Sequence, residues 1–180
     1  MNFSTLAHRL GIAAPASALL WKARRLLGEF PVENAPDLEA WLVELANSRG
    51  FSAIQRRAVT LPSELVEGRF SNTELAVALM HPSLADEPQL LRLSAQIISR
   101  GVVDADGIVR LAKRESASRV VLALARQALK AAPAHAGWLS IADQLACETP
   151  LRENVIHWTR LAEPVMKPRG PHSGEWRLVA

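Results

Sequence analysis

The chain has few of the residues that carry redox and metal chemistry. Its one cysteine, Cys147, excludes an internal disulfide and leaves no Cys-x-x-Cys pair for redox chemistry or zinc. The five histidines are scattered and never show the His-Glu-x-x-His spacing of zinc enzymes. We therefore expect no metal and no cofactor. Because Cys147 lies near the end of an apolar helical pattern, we expect a packed, unreactive thiol.

Glycine-rich binding loops are also missing. The nine glycines include no Gly-x-Gly pair and no Gly-Lys-Ser/Thr, which excludes the usual dinucleotide and P-loop phosphate cradles. Asp104 and Asp106 imitate part of a calcium loop, but Lys113 occupies the position of its bidentate carboxylate, so these aspartates predict a helix cap instead. The missing motifs favour a non-enzymatic protein, and a catalytic site assembled from distant residues stays open as an alternative.

Long apolar runs and a strong charge of one sign are absent as well. No uncharged stretch approaches the roughly 20 apolar residues that span a bilayer, and Met1 to Ala7 contains no basic residue of a signal peptide. We expect a cytoplasmic protein without a membrane segment. The formal net charge is +3, of which the residues after Val165 supply +2, so the charge is weak support for nucleic-acid binding.

Helical periodicity runs through most of the chain, and no segment shows the alternation of a β-strand. We therefore predict an all-α domain over residues 1–166 with mostly antiparallel neighbouring helices, an irregular connection at about 51–70, and an extended or flexible tail at 167–180. About ten helices are predicted. One has Pro36 and Asp37 in its first turn and an apolar stripe from Leu38 to Ala46, and the others lie at about 3–11, 15–27, 62–68, 72–80, 87–99, 104–114, 118–132, 136–147 and 150–163.

Several of these helices have recognisable ends. Ser71 and Glu74 form a capping box at the start of the helix at 72–80. Asn34 is a suitable cap for the helix that contains Leu38 to Ala46, and Gly50 ends that helix. Within the helices, Trp41 and Trp138 lie on apolar stripes and are predicted to be core residues, as is Trp158.

The second half of the chain suggests a repeat. First helices begin near 72, 104 and 136, which gives a period of about 32 residues. The stretch from Gln127 to Ala142 resembles the junction between two tetratricopeptide repeats, where an Ala-Leu pair closes one helix, a proline follows, and an aromatic opens the next. The resemblance, extended over about residues 104–146, implies a short helical-repeat array with a concave protein-binding surface.

The N-terminus resembles another family. Leu6 to Ile12 followed by Ala16 to Arg25 is similar to the middle of a helix-turn-helix, where an alanine and a glycine four residues later permit the tight turn. Ala7 and Gly11 fit that pattern. The resemblance implies that residues 3–25 bind nucleic acid, with the second helix in the major groove. The alternative is an ordinary pair of helices joined by a glycine-containing turn.

The helix at 15–27 places Trp21 opposite its leucine-rich stripe, beside Arg24 and Arg25. Tryptophan and arginine are enriched in interface hot spots, so this face is a candidate contact surface. The competing interpretation buries Trp21 under a neighbouring helix, as large aromatic side chains usually are. Trp176 in the tail is a second candidate contact. We thus expect a scaffold or interaction module that binds another protein, with nucleic-acid binding through residues 3–25 as the alternative.

Overall fold

A computed structural model of the chain describes residues 16–29, 37–51, 68–84, 88–149 and 151. These ranges contain seven α-helices and no β-strand, which confirms the all-α class. The helices predicted at 3–11, 62–68 and 150–163 fall almost entirely outside the described residues, as do most of the predicted connection and the whole tail. The helices are α1 (Ala18–Gly28), α2 (Leu38–Ser48), α3 (Asn72–Leu79), α4 (Pro88–Ser99), α5 (Ala105–Arg114), α6 (Ser118–Ala131) and α7 (Ala136–Gln144).

Local capping sets where α3 and α5 begin. The Ser71 hydroxyl accepts the Glu74 N–H at 3.1 Å, and the Glu74 carboxylate accepts the Ser71 N–H at 2.8 Å. The predicted capping box is therefore confirmed. Asp104 caps α5 by accepting the Gly107 N–H at 2.8 Å, as the sequence also predicted. Each such cap contributes about 1 kcal/mol because it satisfies a backbone donor that has no partner inside the helix.

The start of α2 differs from the prediction. Asn34, proposed as the cap, lies outside the described residues, and the cap is Asp37, whose carboxylate accepts the Ala40 N–H at 2.7 Å. Asp37 has an extended backbone (φ −62°, ψ 165°), so the helix cannot begin before it. Gly50 does follow the helix as predicted, with a φ of +80° that favours glycine.

The core is centred on α3, whose residues from Leu75 to Leu79 are all buried. This helix packs against α1, α2, α4 and α5, while α7 packs against α5 and α6. Trp41 and Trp138 are fully buried, as predicted, and Trp41 meets Phe70 edge to face with a centroid distance of 5.9 Å. Trp158 lies outside the described residues.

The contacts of α7 give no support to a regular repeat. In a strict 32-residue repeat, the residue equivalent to Asp106 would be Trp138. Asp106 instead accepts a hydrogen bond from Gln144 at 2.6 Å, and the Trp138 indole N–H donates to the Ser99 hydroxyl at 3.0 Å. The three first helices do lie side by side, α3 on α5 and α5 on α7.

The prediction of a packed Cys147 is wrong, because α7 ends at Gln144 and the following turn buries Leu145 while it leaves the thiol exposed.

None of the helices in the described ranges has the length and apolar character needed to cross a membrane.

Candidate functional site

Helix α1 has one face in the core and one in solvent. Its buried face is formed by Leu19, Leu20, Ala23 and Leu26. Trp21 lies on the opposite face and is 64% exposed. Arg24 and Arg25 are exposed on the same side of the helix. No helix in the described part of the chain covers Trp21, in contrast to the interpretation that buries it under a neighbouring helix. We call Trp21, Arg24 and Arg25 the Trp21 surface.

A buried carboxylate from the distant end of α5 holds the start of α1. Glu115 accepts the Ser17 hydroxyl at 2.7 Å and the Leu19 N–H at 3.2 Å, while Ser17 itself caps α1 by accepting the Leu20 N–H at 2.9 Å. A negative charge is favourable at a helix N-terminus, where backbone N–H groups lack partners inside the helix. Glu115 thus fixes the position of α1 and, with it, the direction in which Trp21 points.

The environment of Glu115 keeps its carboxyl group charged. Burial by itself raises the pKa, but hydrogen bonds from Ser17, from the Leu19 N–H and from Arg114 together lower it below its usual value. The Arg114 side chain also forms an ion pair with Glu115, with its Nε 3.2 Å from the carboxylate. Glu115 therefore carries its negative charge at neutral pH, where it best stabilises the start of α1.

His81 lies near the same carboxylate, just after α3. It is buried, and its Nδ1 accepts the Ser83 N–H at 3.1 Å, so the proton of the neutral ring is on Nε2. Burial lowers the pKa of His81 by more than the carboxylate and backbone of Glu115 raise it, and the positive charge of Arg24 lowers it further. His81 is thus neutral at pH 7 and adds no positive charge close to Arg24.

The cations of α1 differ in how far they are neutralised. Lys22 is paired with Glu74 at 2.6 Å, and its ammonium group lies 5.6 Å from the centre of the Phe70 ring. Arg25 reaches Glu29 only at 4.0 Å. Arg24 has no hydrogen bond or ion pair with any described residue. Among the residues that the structure describes, Arg24 is therefore without a compensating acid and Arg25 has only a distant one.

Across the whole described part of the chain, no three His, Cys, Asp or Glu side chains come close enough together to hold a metal ion. His81 and Glu115 are both buried, so neither side chain is open to a solute. Glu115 orders the start of α1, and Trp21, Arg24 and Arg25 lie on the exposed face of that helix.

The structure brings together three of the four residues predicted to form contacts. Trp176 lies outside the described residues, as do residues 3–15 of the helix-turn-helix resemblance. Sequence reasoning missed Glu115, although its position offered one signal: a carboxylate directly after the last turn of α5 is unfavourable for the dipole of that helix. Such a charge is typical of a residue whose partner lies elsewhere, here at the start of α1.

Comparisons with known proteins add no further constraint. No protein family, no curated protein and no solved structure was found that matches the chain. The geometry and charge of the described residues therefore remain as the basis for a functional proposal.

Proposed function

We propose that this protein is a non-enzymatic interaction module that binds another protein through the Trp21 surface. The observation that carries the proposal is the 64% exposure of Trp21 on a helix whose opposite face is buried. Tryptophan is highly buried on average, and a tryptophan that is an interface hot spot contributes about 2 kcal/mol or more to binding.

The surface is also held in place before any partner arrives. The leucine stripe of α1 packs in the core, and Glu115 binds both the cap residue Ser17 and the Leu19 N–H. A contact helix that is already ordered loses little conformational entropy on binding. This arrangement favours recognition by a fixed face over folding on contact.

The alternative function is nucleic-acid binding through the helix-turn-helix-like segment, residues 3–25, with Arg24 and Arg25 on phosphates. Two phosphate contacts would give a salt dependence with a slope of only about −1.8 in log K against log salt, too small for strong binding. Lys22, the other cation of α1, is already paired with Glu74. The charge of the surface therefore favours a protein partner. The tetratricopeptide-like resemblance of residues 104–146 and a cytoplasmic location are compatible with this proposal but do not carry it.

The test is capture of partners from the native host, with and without nuclease. The tagged wild-type protein is compared with Trp21→Ala and with the control Leu139→Ala, which removes another exposed apolar side chain, 42% exposed on α7. We expect the wild-type protein to capture a partner protein whose binding resists nuclease. Trp21→Ala is expected to lose this partner and Leu139→Ala to keep it. The purified partner is then expected to bind the purified wild-type protein directly. If every partner stays bound to Trp21→Ala, the proposed surface is wrong, and a chain lacking residues 167–180 then tests Trp176.

A further inference from the structure

The charge around Trp21 extends beyond α1 itself. Arg114 is 65% exposed and is anchored by Glu115, which also binds Ser17. Ser17 lies one helical turn before Trp21 on the same stripe, since the Trp21 N–H donates to the Ser17 carbonyl at 3.1 Å. Arg114 therefore lies beyond the N-terminal side of Trp21, while Arg24 and Arg25 lie one turn beyond its C-terminal side.

Acidic groups near this surface are already neutralised. The one acid among residues 16–29 is Glu29, and Arg69 holds both of its carboxylate oxygens, at 2.7 and 3.0 Å. Hydrogen bonding to Arg69 lowers the pKa of Glu29, which keeps this pair intact at neutral pH. Glu115 is buried beneath the surface, and Glu74 is paired with Lys22. Within the described ranges, the exposed charge around Trp21 is thus that of its arginines.

The number and spacing of these charges decide between two anionic partners. A nucleic-acid backbone presents closely and regularly spaced phosphates and is bound by continuous rows of cations. Here three arginines flank a central tryptophan, an arrangement that matches separate carboxylates on either side of an apolar side chain. Arginine forms bidentate hydrogen bonds with carboxylates, and its plane and the indole ring both stack on aromatic or apolar groups.

We infer that the Trp21 surface binds an acidic segment of a partner protein. One apolar or aromatic side chain of that segment covers Trp21, and flanking Asp or Glu side chains pair with Arg24, Arg25 and Arg114. This inference rests on the proposed function and specifies the chemistry of its partner.

A display library of random dodecapeptides tests the inference without knowledge of the natural partner. Peptides are selected on the full chain, and those that also bind Trp21→Ala are removed. We expect the remaining peptides to be enriched in Asp and Glu around at least one apolar or aromatic residue. If the remaining peptides show no enrichment in acids, the acidic inference is overturned while the proposed surface stands. If no peptide depends on Trp21, both the inference and the proposed function are overturned.

Charge reversal then tests the arginines in purified components. For a selected peptide, Arg24→Glu is expected to weaken the Kd about tenfold or more, and a peptide with Lys in place of the facing acid is expected to restore binding to that variant. Arg126→Glu is the matched control, since Arg126 is an exposed arginine on α6. Circular dichroism verifies that each variant is folded. Equal effects of Arg24→Glu and Arg126→Glu would overturn the inference.

A single-stranded thymidine oligonucleotide supplies the competing polyanion. We expect it to bind more weakly than the selected acidic peptides at the same ionic strength. Tighter binding of the oligonucleotide, lost in Arg24→Glu, would overturn the inference in favour of the nucleic-acid alternative.

Discussion

Helices α1 and α7 each carry a tryptophan near their N-terminus, but the tryptophan is exposed in α1 and buried in α7. In α7, the His135 side chain caps the helix and bonds through Nε2 to the Ser99 carbonyl at 3.1 Å, and Trp138 is buried with its N–H bonded to Ser99. In α1, the cap residue Ser17 is bound by Glu115, and Trp21 points into solvent. Both caps are tied to remote residues. What differs is whether a neighbouring described helix covers the indole, so the same residue type is a core residue in α7 and an exposed residue in α1.

The largest expected effect is on the α7 side of this comparison. Trp138→Ala removes a fully buried indole and leaves the Ser99 hydroxyl without its donor. We expect the free energy of unfolding to fall by about 3–5 kcal/mol, the range typical of large-to-small substitutions in a core. Urea denaturation followed by circular dichroism measures it. A loss below about 1 kcal/mol, as found for surface positions, would show that Trp138 is not a core residue.

Glu115→Gln is expected to have the next largest effect. The amide keeps the shape of the side chain but loses the charge-assisted hydrogen bonds to Ser17 and Leu19, at an expected cost of about 1–3 kcal/mol. Hydrogen exchange is expected to become faster in the first turn of α1 and to change little in α7. Uniform acceleration across all helices would contradict a local role for Glu115.

The pH dependence of stability separates His81 from Glu115. The pKa of His81 is lowered in the folded state, so below its unfolded value of 6.5 the unfolded chain binds the proton first and stability falls as pH falls. The slope from this group approaches about 1.4 kcal/mol per pH unit. The pKa of Glu115 is also lowered, so its contribution is complete above the unfolded value of 4.5 and is lost as pH falls through the folded value.

Denaturation at several pH values between 5 and 7.5 tests the contribution of His81, which is lost as the pH falls below its unfolded pKa of 6.5. We expect His81→Gln to flatten the loss of stability between neutral pH and the region where carboxylates begin to protonate. A wild-type slope that His81→Gln leaves unchanged would refute the assignment.

The smallest expected effect on stability is that of Trp21→Ala. Because the side chain is exposed, the free energy of unfolding is expected to change by no more than about 0.5 kcal/mol, while binding through the Trp21 surface is lost. Thermal denaturation and peptide binding are measured on the same preparation. A large loss of stability would place Trp21 in the core and remove the contrast with Trp138.

Local features of the sequence predicted much of this fold. The prediction for 72–80 matches α3 at Asn72–Leu79, since the Ser71 cap and the apolar pattern act within a few residues. The exposure of Trp21 could not be derived in this way. Its face of α1 looks equally suited to a neighbour or to solvent, and the periodicity of one helix does not say where its neighbours lie. The bond from Glu115 to Ser17 joins residues far apart in the chain, and no periodicity predicts it.

Quenching of Trp21 fluorescence tests the central claim, an exposed indole in a positive field, without any partner. The signal of Trp21 is obtained as the difference between the wild-type protein and Trp21→Phe, and it is titrated at low salt with anionic iodide and with cationic caesium. We predict efficient quenching by iodide and weaker quenching by caesium, with the difference reduced in Arg24→Glu. A Trp21 signal that neither quencher reaches, or one that caesium quenches more strongly than iodide, would contradict the account.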